Sequence, residues 1–121
     1  MPFLDNASAN GFDIIDPMNL NGYVFANAVN SGNKYPICYM VENQHVYCVS
    51  VIEKNSGDLI SDNYMKCIIA MARSINPSVS VEDATDASKL ALANPDVGVV
   101  TITNDMHFIY HKDEGMITIS Y

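Results

Sequence analysis

A chain of 121 residues with 14 acidic and 6 basic side chains, net charge −8, has room for one domain and no second independent core. That balance opposes phosphates and anionic headgroups, which excludes nucleic acid and membrane surfaces as partners and favours a basic protein. With 49% of residues apolar, the chain can bury roughly two-thirds of its unfolded surface, which excludes global disorder.

No stretch reaches the roughly eighteen consecutive apolar residues of a membrane span. The start, Met1 to Asn6, lacks the basic and apolar regions of a secretion signal. Cys38, Cys48 and Cys67 are odd in number and form no close pairing motif, so they read as packed thiols of a reduced cytoplasmic protein.

Residues 1–15, rich in Asn, Ala, Ser and Gly, read as a partly ordered arm with a short edge strand over Phe12 to Ile15. Asp16-Pro17 has the form of a helix start, and Leu20, Val24 and Ala28 beside Phe25 and Val29 recur at helical spacing up to Gly32. The first expected helix therefore covers Asp16 to Gly32. Tyr35 to Glu42 and His45 to Glu53 are β-rich runs joined by Asn43-Gln44, and pairing Val41 with Val46 sets Tyr39 against Cys48 and Ile37 against Ser50. Lys54 to Asp58 is a loop.

Ser61 or Asp62 caps a second helix, with Ile60 stapling onto Met65 if Ser61 is the cap. Tyr64, Ile68, Met71 and Ile75 form its inner stripe, with Met65, Ile69 and Ala72 alongside. Lys66, Ala70 and Arg73 form a narrow solvated edge, and Asn76-Pro77 stops the helix. Ser80 caps a third helix to about Ala93, with Glu82, Asp83 and Asp86 in its first turns and Asn94-Pro95 after its end.

Val97 to Tyr121 reads as a three-stranded meander turning at Asn104-Asp105 and at Asp113-Glu114-Gly115, with Gly115 left-handed. In that register Val100, Ile102, Ile109, Ile117 and Ile119 point inward. Thr101, Thr103, Phe108 and Tyr110 then share the outer face with Val99, Thr118 and Ser120. A shift of one residue would exchange the faces. The expected fold is α+β: a five-stranded, mainly antiparallel sheet, made of a hairpin plus the C-terminal meander, with three helices mainly on one face.

Little catalytic chemistry is spaced for use. No cysteine opens a helix behind a glycine turn, and His107 and His111 stand roughly 13 Å apart on one strand, too far to share an ion. The six glycines are isolated, so no phosphate-cradling loop exists. No catalytic residue, metal site or cofactor is assigned. The expectation is a non-enzymatic acidic module, an inhibitor or immunity-type protein that neutralises a basic partner protein. Its contact residues would be Phe108, Tyr110, Thr101 and Thr103 on the meander, with Glu82, Asp83 and Asp86 as the acidic patch. One alternative is a Cys–His thiol hydrolase built on His107. Another is a homo-oligomeric structural or chaperone subunit, a homodimer pairing through the C-terminal strand edge at Tyr121.

Overall fold

A computed structural model describes residues 1–53, 61–101 and 103–121. Its first element corrects the N-terminal reading. Residues 2–9 form helix α1 (Pro2–Ala9), with Pro2 at the start and Phe3 and Ala7 buried. The Phe3 ring packs 4.8 Å from that of Tyr39, so the segment is anchored rather than loose.

The expected helix from Asp16 to Gly32 is a β-hairpin. Strands β1 (Asp13–Leu20) and β2 (Tyr23–Asn30) are antiparallel about Asn21-Gly22, and β2 turns at Ser31-Gly32 into β3 (Asn33–Glu42). Both turns carry positive φ at both central residues: 53° and 88° in the first, 48° and 87° in the second. That geometry matches the twist of the flanking strands. Asn43-Gln44 makes a third such turn into β4 (His45–Ile52), as the sequence indicated. Val41 pairs with Val46 as expected. A bulge beyond them then moves the register, so that Tyr39 opposes Val49 and Ile37 opposes Val51. Asp16-Pro17 is no helix cap but an irregularity of edge strand β1, with Asp16 at φ 54°.

Two helices follow as read. Helix α2 (Asp62–Ile75) is capped by Ser61, whose hydroxyl accepts from the Tyr64 amide at 3.1 Å. Ala70, expected at its solvated edge, is buried. Helix α3 (Val81–Ala93) is capped by Ser80, which accepts from the Asp83 amide at 3.0 Å. The loop expected at 54–58 and the Ile60 staple lie outside the described residues.

The chain closes with β5 (Val99–Val100), β6 (His107–His111), a 3-10 turn (Lys112–Glu114) and β7 (Met116–Ser120). Among the described residues the seven strands form one antiparallel sheet in the order β1-β2-β3-β4-β7-β6-β5, not the expected five-stranded one. The correction comes from the N-terminal hairpin, which adds β1 and β2. The three helices are α1, α2 and α3, and the first is not the segment expected to be helical.

One face of the sheet is the core. Val24, Ala26 and Ala28 on β2, Tyr35, Ile37 and Tyr39 on β3, and Val49 and Val51 on β4 turn under the helices, as do Ile117 and Ile119 on β7. Tyr64 of α2 reaches that layer and donates from its hydroxyl to the Val51 carbonyl at 2.8 Å. Arg73 ties the helices together, donating through Nε to the Val79 carbonyl (3.2 Å) and through Nη1 to Asn10 Oδ1 (3.0 Å). No described helix is long and apolar enough to cross a membrane.

Candidate partner-binding site

The meander register differs from the expected one, and the difference relocates the predicted contact residues. The second loop holds four residues, Lys112 to Gly115, so His111 pairs with Met116 rather than Ile117. Gly115 is left-handed as read, at φ 59°. That single extra residue reverses the face of β6 relative to β7. Phe108 then opposes Ile119, Tyr110 opposes Ile117, and both rings lie inside, at 0% and 6% exposure. Burial pushes the Tyr110 phenol up, with the Glu53 carboxylate adding to the shift. Phe108 and Tyr110 are core residues and offer a partner no surface. Ile109 and Val100, expected inside, lie on the outer face, and Val100 is 48% exposed.

The first turn is also wider than a two-residue loop. Val100 pairs with His107, and Thr101 and Met106 close the connection. The Thr101 amide donates to the Met106 carbonyl (2.9 Å), and the Thr101 hydroxyl accepts from the Met106 amide (3.0 Å). Thr101 is thus a buried loop clasp. Ile102 lies outside the described residues.

The remaining predicted residues do come together. The Thr103 hydroxyl donates to Asp83 Oδ2 at 3.0 Å, with Asn104 Oδ1 as a second acceptor at 2.9 Å, and so binds the loop to the first turn of α3. Asp83, Asp86, Ala87 and Leu90 recur at i, i+3, i+4 and i+7, so they share one helix face. That face and Val99, Val100 and Thr101 enclose a groove of about 170 Å³. Its floor is aliphatic and its rim carries two carboxylates. Glu82 is exposed at the same end of the helix.

The groove runs along the edge of the sheet. Among the described residues strand β5 pairs with β6 alone, which makes it the outermost strand on that side of the sheet. Leu90 and Val97 are each 55% exposed there. Sequence reasoning missed Leu90, Val97 and Val100 because their exposure depends on where β5 stops, and no local pattern sets that.

The expected C-terminal edge is absent. Strand β7 lies between β4 and β6 and is paired on both sides, so the segment ending at Tyr121 has no free edge for a second copy. Among the described residues the sheet edges are β1 and β5.

Thiol chemistry finds little support in the geometry. Cys67 is buried in α2, and burial pushes its thiol up to about 12. Burial likewise raises Cys38 and Cys48, the second also by the neighbouring Cys38. Cys48 opposes Ser120, which opposes His107, so one strand separates that thiol from that imidazole and they stand roughly 10 Å apart. A raised thiol with no imidazole in reach carries little thiolate at neutral pH.

No family model, no curated protein and no solved structure matches this chain.

Proposed function

We propose that the chain is a non-enzymatic protein-binding module that takes a basic, extended segment of a partner protein along β5, in the manner of an inhibitor or immunity-type protein. One observation carries the reading: the outermost described strand of the sheet and the acidic turn of α3 share a single groove. A strand added to β5 gains main-chain hydrogen bonds, its apolar side chains pack on Leu90, Val99 and Ala87, and its Lys or Arg side chains reach Asp83 and Asp86. The net charge of −8 speeds the encounter with a basic surface at low salt. The three unpaired cysteines fit a reduced, cytoplasmic setting.

The test is binding of a labelled peptide of alternating Lys and Val, followed by anisotropy across a salt series, for the wild type, Asp86→Lys and Leu90→Arg. Both changes lie on exposed helix positions. Affinity should fall at least about 10-fold in each variant and decline with salt. Absence of binding at any ionic strength, or binding indifferent to both variants, would sink the proposal.

A further inference from the structure

The side of the sheet opposite the helices is uncovered among the described residues. Two rows of paired side chains cross β1 to β4 between the irregularities of β1 and β3. Leu20 opposes Tyr23, Tyr23 opposes Met40, and Met40 opposes Cys48. In the next row Met18 opposes Phe25, and Phe25 opposes Cys38. Over β1 to β4 neither row contains an acidic or basic side chain, on a chain of net charge −8. Met18 is 61% exposed, Leu20 52%, and Tyr23 and Phe25 47% each. Together with Ile15 they expose roughly 500 Å² of mostly apolar side chain, at the upper end of the largest patch on an ordinary monomer.

We infer that this face, centred on β2, is where two copies of the chain pack sheet against sheet in solution. Three observations select a second copy as the occupant. First, the area fits: the five exposed side chains supply most of the ~800 Å² per partner of a standard interface, and half-buried Cys38 and Met40 extend it.

Second, the charge distribution permits it. The acidic residues of α3 stand behind the sheet. Two face-to-face sheets about 10 Å apart, each with helices about 10 Å behind it, hold those acids roughly 30 Å apart. That is well beyond the ~8 Å screening length at physiological salt. The acids nearest the patch, Asp13, Asp16 and Glu42, lie at strand ends or on the edge strand. A basic partner finds nothing to pair with in the two central rows, and is drawn instead to the groove at the opposite edge.

Third, the edge that borders this patch is blunted. Strand β1 carries Pro17 and the irregularity at Asp16, which obstruct strand addition and leave the face as the route to self-association. A two-fold axis near β2 lets one patch serve both copies, so the contact closes at two.

Sedimentation velocity from about 1 to about 100 μM tests this. The wild type should pass from single-chain to two-chain mass. Met18→Asp with Phe25→Asp should weaken the association at least about 100-fold, because each dimer would bury four unpaired carboxylates. Lys89→Asp, on the exposed surface of α3, adds the same two negative charges away from the patch and should leave the dimer unchanged. Circular dichroism confirms the fold of each variant, and if the Asp pair unfolds, Met18→Ser with Phe25→Ser is read in the same way. Single-chain mass throughout the range, a dimer that persists in the double variant, or equal loss in Lys89→Asp would overturn the inference.

Discussion

Replacing Phe108 by Ala tests the register of the closing meander. The ring is fully buried between Val99 and Ile119 on the neighbouring strands. Deleting it removes the transfer free energy of an aromatic side chain and leaves a cavity that β6, held on both sides, cannot collapse to fill. The cost is about 3–5 kcal/mol. Ile109, the next residue, faces the opposite side and is only partly buried, so Ile109→Ala should cost about 1 kcal/mol or less. Urea unfolding at low micromolar concentration separates the two and keeps self-association out of the comparison. In thermal melts the difference corresponds to a fall of more than about 10 °C for Phe108→Ala against a few degrees for Ile109→Ala. If the order is reversed, with Ile109→Ala the costlier, then Ile109 is the inward residue and the expected, not the observed, register is correct.

Gly115→Ala should cost about 2 kcal/mol or more in the same urea assay. The backbone there is left-handed at φ 59°, and an added Cβ would stand 2.7 Å from the Glu53 carbonyl oxygen. A near-neutral result would refute both constraints. Ser80→Ala should lose about 1 kcal/mol through the free Asp83 amide, with little change in binding at the groove. Native iodoacetamide labelling should leave Cys67 unmodified while Cys38 and Cys48 react slowly, since only Cys67 is fully buried; early modification of Cys67 would contradict its placement. The Cys67 thiol also predicts a pH slope. Its folded value is raised to about 12 from 9.0, so its contribution is intact below pH 9 and is lost as pH rises toward 12. Cys67→Ala should therefore show a shallower alkaline loss of stability, by about 3 kcal/mol at pH 11.

Several elements were legible because one local rule decided each. Ser61 and Ser80 stand where capping residues belong, ahead of apolar stripes at helical spacing, and both helices form there. Asn43-Gln44 joins two β-rich runs, and Gly115 sits at the left-handed end of its loop.

The N-terminal third was misread because two periods competed. Leu20, Val24 and Ala28 fit a helix, whereas Val24, Ala26 and Ala28 fit a strand with one buried face, and burial follows the second pattern. The decisive signal was Asn21-Gly22, a hairpin dipeptide between apolar runs, repeated by Ser31-Gly32 ten residues later. An Asp-Pro pair resembles a helix cap, but at Asp16-Pro17 it interrupts an edge strand. The site residues were harder still. Counting the second meander loop as three residues instead of four exchanges inside for outside on β6, and composition cannot correct such an error, since Phe and Tyr suit either face. Asp83 and Asp86 were legible as a patch. The strand edge beside them was not, because it depends on which of seven strands ends the sheet.

Hydroxyl-radical footprinting at about 1 μM tests most directly the division of the sheet into a covered face and an open one. Met18, Tyr23 and Phe25 should be oxidised quickly, while Met71, Met106 and Phe108, each at 0% exposure, should stay unmodified. Oxidation of Met106 and Phe108 at rates like that of Met18 would contradict the account.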